Sequence, residues 1–375
     1  MKILFKIAGL FFFLPFQGFA LDIENLVVPD GFSINIFEGN IEAPRQMAQG
    51  DQGFIFVGSR KSGKVVALLD SDINGISDSK IVIAEDLNSP SGVSFYDGDL
   101  YIAEIDKIWR IRNIESWLNK NFDSKPKMEL ITDDLPSEDW HGWKWLKHDN
   151  DGNIYTNIGA PCNVCLKSDP RFATIVRWNE QEWEIVAKGV RNSVGFDWHP
   201  KSNLMYFTDN GRDWLGDNSP PCELNRLDKE GQFFGFPFMH GRDIKDPEYG
   251  ELEHGFELIE PIYEFDAHSA PLGIEFYDRD LFPEVYRDAA FIAVHGSWNR
   301  TSKTGYKVVS AHLDENGQVL FVKEFITGFL DDQNTLGRPA APLVLADGTL
   351  LISDDYANKI YRVSYQNPKL VLATK

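Results

Sequence analysis

The sequence predicts an all-β chain folded as a six-bladed β-propeller with an inserted loop region in the fourth blade. Three observations carry this. One turn-and-strand unit occurs six times: Gly53-Phe54-Ile55-Phe56-Val57, Gly98-Asp99-Leu100-Tyr101-Ile102, Gly152-Asn153-Ile154-Tyr155, Asn203-Leu204-Met205-Tyr206-Phe207, Ala290-Phe291-Ile292-Ala293-Val294 and Gly348-Thr349-Leu350-Leu351-Ile352. The spacings from Ile55, Leu100, Ile154, Leu204, Phe291 and Leu350 are 45, 54, 50, 87 and 59, whereas a blade of four short strands needs roughly 40 to 50 residues. No alternation of strands with long helices is visible. A pair of β-sandwiches is the rival reading, but sandwiches do not repeat their turn chemistry at blade spacing.

The elements follow in chain order. Lys2 and Lys6 precede the apolar run 7–16 and then Gly18-Phe19-Ala20, the pattern of a signal peptide cleaved after Ala20. That run is too short to span a bilayer, and no later stretch approaches 18 apolar residues. Residues 21–375 are then one propeller domain, periplasmic or secreted. Each repeated unit is preceded by a short strand, as in Ser91-Gly92-Val93-Ser94-Phe95 and Leu343-Val344-Leu345. A third strand follows, often carrying Arg: Ile108-Trp109-Arg110-Ile111, Ile175-Val176-Arg177-Trp178, Leu224-Asn225-Arg226-Leu227 and Ile360-Tyr361-Arg362-Val363. One short helix is expected near 114–119. The 87-residue gap locates the insertion at about 212–270, rich in Gly, Pro and aromatics without a strand period, and long loops of that kind are usually functional.

Lys and Arg number 37 against 57 Asp and Glu, a formal charge of −20. Phosphate backbones and anionic lipids need a basic face, so nucleic acid is excluded as a partner class. Against that acidic background, basic and polar residues gather where the repeat places them together. In a propeller the loop leading into the innermost strand and the loop leaving the second strand open on one face. The first set contributes Arg45, Pro90, His141, Arg191 with Asn192, His268 and Arg338; the second contributes Arg60, Glu104, Cys162 with Cys165, Asn210 with Gly211, His295 with Asn299 and Arg300, and Asp354 with Asp355. Taken singly, each arginine is accounted for by capping a neighbouring blade through Asp or Glu. Together they imply an anionic ligand with several carboxylates or phosphates, which the guanidinium fork pairs bidentately.

The run Gly189-Val190-Arg191-Asn192-Ser193-Val194-Gly195, with Phe207-Thr208-Asp209-Asn210-Gly211-Arg212-Asp213, Glu223-Leu224-Asn225 and Gly235-Phe236-Pro237, resembles the soluble pyrroloquinoline quinone (PQQ)-dependent sugar dehydrogenases. These are six-bladed propellers, and the similarity is greatest to their sorbosone dehydrogenase-like branch. His141-Gly142-Trp143-Lys144, Cys162-Asn163-Val164-Cys165, His295-Gly296-Ser297-Trp298-Asn299-Arg300 and Asp354-Asp355 add to it, so that it extends from about residue 28 to 364. PQQ is a planar ortho-quinone with three carboxylates. The resemblance implies that Arg191, Asn192, Arg300 and Arg338 bind it and that His141 is the general base, removing a hydroxyl proton while hydride leaves the same carbon. An imidazole whose ordinary pKa is near 6.5 suits that role. It also implies calcium, bridged to the quinone by the carbonyls of Gly211 and Arg212, with a structural calcium at Glu223; carbonyls and carboxylates are what a hard cation prefers. Two positions depart from the glucose-oxidising members: Arg212 stands where they have proline, and Trp140 where an aspartate directly precedes the base.

Two further motifs have bland readings beside sharp ones. Asp70-Ser71-Asp72-Ile73-Asn74-Gly75 mimics half an EF-hand loop, but Ile81 stands where the twelfth-position Glu is needed, favouring an Asx-rich turn over a weak calcium site. Cys162 and Cys165 cannot attach haem, because Leu166 replaces the required His, and zinc lacks a second Cys pair. Export favours a disulfide, structural or redox-active. The expected function is oxidation of a sugar-like alcohol, hemiacetal or aldehyde, passing electrons to an external quinone or cytochrome. The alternatives are a calcium-dependent six-bladed lactonase or esterase and a cofactor-free binding propeller.

Overall fold

The structure, a computed structural model, describes residues 21–120 and 125–366; the expected signal peptide, 1–20, lies outside the described residues. All six repeated units are second strands of six antiparallel sheets: Ile55–Ser59, Asp99–Ala103, Ile154–Ile158, Met205–Asp209, Ala290–Val294 and Leu350–Asp354. Their innermost neighbours are Pro44–Gln49, Gly92–Tyr96, Leu146–His148, Phe196–Trp198, Pro271–Phe276 and Pro339–Val344. The sixth blade takes its outermost strand, Phe32–Glu38, from the other end of the chain, pairing it antiparallel with Lys359–Tyr365. The expected helix is Ile114–Leu118.

Apolar residues on both faces of each blade build six cores, one between every adjacent pair of blades. Phe56, Val65 and Ala67 meet Val93, Leu100 and Ile102 between blades 1 and 2, and Phe37, Leu343 and Leu351 meet Met47, Ile55 and Val57 between blades 6 and 1. Sheets packed on both faces need apolar side chains at nearly every position, which is why the second strands read as short continuous apolar runs. At the hub the blades approach closely: a Cβ on Gly195 would lie 2.1 Å from the Leu272 carbonyl of the next blade.

The insertion is narrower than 212–270. Cys222–Leu227 and Tyr263–Phe265 fall inside those bounds but are the third and fourth strands of blade 4. The excursion between them lends Gln232–Phe233 to blade 3 as a parallel fifth strand and forms a small hairpin from Met239–His240 and Ile244–Lys245. Two-residue strands have no period to detect, so the whole stretch read as loop.

Candidate active site

The loops above the six blades enclose a cavity of about 430 Å³. Five of the six blades supply side chains from the places the repeat predicts; Pro90 and Glu104 of blade 2, Cys162 and Cys165 of blade 3, and Asp354 and Asp355 of blade 6 do not line it. Arg45 comes from an innermost strand; His141 with Trp143, Arg191 with Asn192, His268 and Arg338 from loops leading into one; Arg60, Asn210 with Gly211, and His295 with Asn299 from loops leaving a second strand. Arg300 does not line the cavity. Its guanidinium turns away to the Ser302 and Ala267 carbonyls and the Asn218 side chain, and it is not among the residues the structure brings together there.

Four arginines face two carboxylates here. Arg45 pairs with buried Asp355 at 2.9 Å, and Arg60 reaches the same carboxylate only at 3.9 Å while stacking over Trp143. Asp355 also accepts from His295 Nε2 at 2.8 Å. His295 and Arg45 hold its carboxyl well below the usual range despite burial, and burial with the Arg45 charge draws Arg60 down to about 10. Arg338 donates to the backbone carbonyls of His295 and Gly296 and lies over Tyr306. Arg191 is wholly buried and serves five acceptors: Asn163 O and Oδ1, Asn210 O, Gly211 O and Asp213 Oδ2. Its own backbone is clamped as well, because the Arg191 and Asn192 amides donate to the two oxygens of Asp209, at 2.8 and 2.6 Å.

His141 sits at the centre of a turn closed by Gly142 N–H to the Asp139 carbonyl, with φ +57°. It packs directly on Gly159, where a Cβ would lie 2.6 Å from its own. Nδ1 lies 2.7 Å from the Ala160 carbonyl, and Nε2 accepts from the Trp140 indole N–H at 3.0 Å. An indole can only donate, so the proton of the neutral ring is on Nδ1. Burial, then the Arg191 charge, depress its pKa to about 3, leaving a neutral imidazole.

A planar tricarboxylate and a hard cation can be tested against unused polar groups. Three buried amide oxygens, Asn192 Oδ1, Asn210 Oδ1 and Asn299 Oδ1, and the Arg60 Nε donor have no hydrogen-bond partner among the described residues. All four belong to cavity residues, and buried polar atoms of that kind call for a ligand or water. The residues therefore fit both groups: excess guanidinium for an anion, neutral oxygens for a cation. The Gly211 carbonyl accepts from Arg191, and the Arg212 side chain is buried in an ion pair with Asp246, so its charge is neutralised away from the cavity. Glu223 is buried between the Asn225 side chain and the Gly241 amide, in register with Asp209 on one side and Glu264 on the other. Burial and the Asp209 carboxylate push it up to about 8. The Asp70 loop is an Asx turn in which Asp70 caps the Asn74 and Gly75 amides, with Asp72 and Asp78 close by.

Cys162 and Cys165 are bonded as a disulfide, and Cys222 is free and buried. Sequence reasoning missed Asp209, which orders the Arg191-Asn192 pair, and Asn163, which sits inside the disulfide loop and receives two of Arg191's donors. Asp209 was signalled by lying in the Asp209-Asn210-Gly211 motif; Asn163 had no signal, since its contact crosses between blades.

Site and fold together give a six-bladed propeller with an arginine-lined cavity at its hub. An uncharacterized protein of Borreliella burgdorferi is 39% identical over 357 residues, 92% of either chain. A family model described as TrAA12-like matches residues 255–361. The chain and the Borreliella burgdorferi protein belong to one family, and the TrAA12-like match falls mainly on blades 5 and 6. Its fold is shared with a calcium structure of the Trichoderma reesei carbohydrate-active enzyme family AA12 (18% identity, TM-score 0.76, 94% of this chain and all of that one). It is also shared with the holo form of the pyranose dehydrogenase PQQ domain of Coprinopsis cinerea (16%, 0.73, 90% and 97%) and PQQ-bound aldose sugar dehydrogenase of Streptomyces coelicolor (15%, 0.63, 91% and 100%).

Proposed function

We propose that this protein is an exported PQQ-dependent sugar oxidoreductase that oxidises a sugar-like alcohol, hemiacetal or aldehyde and delivers electrons to an external quinone or cytochrome. The observation that carries the reading is the cavity itself: Arg45, Arg60, Arg191 and Arg338 against Asp213 and Asp355, beside unpartnered oxygens of Asn192, Asn210 and Asn299. Arg338 and Arg60 would hold the carboxylates of PQQ, Arg191, its five donors already committed, would fix the loop that presents Asn192 to the cofactor's polar edge, and the amide oxygens with the Gly211 and Arg212 carbonyls would hold calcium beside it. Bound there, PQQ supplies a hydride acceptor. His141 Nε2 takes the hydroxyl proton of the substrate, and the Ala160 carbonyl keeps the opposite nitrogen protonated so that Nε2 stays the accepting atom. An anion in the cavity would relieve the Arg191 part of the depression of His141, the smaller of its two causes, while burial keeps the ring neutral. A neutral lactone would need no such clamps, which disfavours the calcium-dependent lactonase alternative.

The test is reconstitution. Apo-protein given PQQ and calcium should bind the quinone at tens of micromolar or below and change its absorption when an aldose or related polyol is added, whereas NAD should give no change. No PQQ binding with calcium present would overturn the reading in favour of the lactonase.

A further inference from the structure

We infer that Trp140 is a displaceable cap on His141, whose indole N–H occupies the proton-accepting lone pair until a substrate hydroxyl replaces it. The inference rests on the reading of His141 as the base. Neutral imidazole has one lone pair, and with Nδ1 committed to the Ala160 carbonyl that pair is on Nε2, 3.0 Å from the indole nitrogen. An indole N–H and a substrate hydroxyl cannot both use it. Of the two partners only Trp140 is free to move: His141 is buried and pinned on Gly159, whereas Trp140 is 55% exposed on the cavity rim. The ring planes stand at 75° with centroids 6.0 Å apart, so the contact is the N–H bond at the indole edge and not a stacked pair. Resting contact with the indole satisfies a buried nitrogen that would otherwise lack a partner, and the exchange conserves one hydrogen bond on His141. Trp140 is thus a positioning residue that makes substrate compete for the base.

The test has one arm on the unloaded protein and one on the reconstituted enzyme. In ¹⁵N-tryptophan spectra of the apo-protein, the Trp140 indole resonance, identified by its loss in Trp140→Phe, should lie downfield of exposed indoles and return to their position in His141→Ala. An indole signal that does not respond to His141→Ala overturns the cap. In reconstituted enzyme, Trp140→Phe keeps the ring but removes the competing donor, so KM should fall about 2- to 10-fold, the worth of one hydrogen bond, with kcat nearly unchanged. An unchanged or raised KM overturns the competition. If the indole shift is present but His141→Ala keeps wild-type kcat, the base assignment fails, and with it the competition between indole and substrate, which overturns the cap.

Discussion

His141 and Lys144, three residues apart, show two consequences of burial for an ionisable side chain. His141 keeps a partner at each nitrogen, and its neutral form is the useful one. Replacing it by alanine should leave PQQ affinity and melting temperature nearly unchanged, because the guanidinium clamps are elsewhere, while kcat falls about 10²- to 10⁴-fold, the range for a positioned general base. A kcat within a few-fold of wild type would remove His141 from the chemistry and turn attention to His268 and His295. Lys144 is fully buried with its ammonium bonded only to the Gly142 carbonyl, and burial draws its pKa down to about 7. Its folded value lies below its unfolded value near 10.4, so its contribution to stability is complete above pH 10.4 and is lost as pH falls to 7. Urea unfolding should show stability gained between pH 7 and 10 from this group, and Lys144→Met should erase that gain and be the more stable protein at pH 7 by on the order of a few kcal/mol. A Lys144→Met variant with the wild-type pH slope would refute it.

At the scale of single elements, the loop between Cys162 and Cys165 is a template for Arg191. Asn163 takes the Nε and one Nη donor of that guanidinium and braces Asp213 through its own side chain. A disulfide three residues apart closes too short a loop to contribute much entropy, so its value lies in fixing Asn163. The double variant Cys162→Ser, Cys165→Ser should weaken PQQ binding about tenfold, near 1.4 kcal/mol, with a melting temperature only slightly lowered. A large loss of melting temperature with unchanged affinity would make the bridge merely structural. These elements also mark how far the sequence could be read. All six second strands and the Arg-bearing third strands were legible, because short apolar runs, five of the six second strands following Gly or Asn, leave a local signature. The cavity's guanidiniums and imidazoles were legible in turn from repeat geometry. Arg300 was misplaced by the same logic: it sits in the right loop but on the wrong side, and one residue of loop backbone decides which. Asn163 acts through a contact made only once blades 3 and 4 stand side by side, whereas Asp209 and the Ala160 carbonyl hold the entry loops of their own blades, contacts that no local sequence pattern announces.

Across the whole molecule, the proposed calcium would link folding to a cation through the buried carboxylates of blade 4. Asp209 and Glu223 both carry pKa values raised by burial, to about 6 and about 8, so without a bound cation their ionisation opposes the folded state. Calcium that binds the folded protein stabilises it by mass action. Chelation by EDTA should therefore lower both melting temperature and PQQ affinity, and Glu223→Gln should abolish the calcium-dependent rise in melting temperature while sparing most of the cofactor affinity. If EDTA moves neither quantity, Gly211, Arg212 and Glu223 are not calcium ligands.

The pairing of Phe32–Glu38 with Lys359–Tyr365 means that, among the described residues, the first strand made is completed by the last. Phe32 waits with it, since its aromatic neighbours Phe282, Tyr286 and Phe325 all belong to blade 5 or its approach. Every product of interrupted synthesis therefore keeps an open circle with two unpaired edges, which are templates for self-association and for proteases. Closure works as a check on length: a chain ending at residue 358 has nearly all the apolar surface of the finished protein and none of its latch. Such a fragment should be cleaved by trace protease under conditions that leave the complete chain intact, so that quality control could tell finished from unfinished molecules by one missing seam.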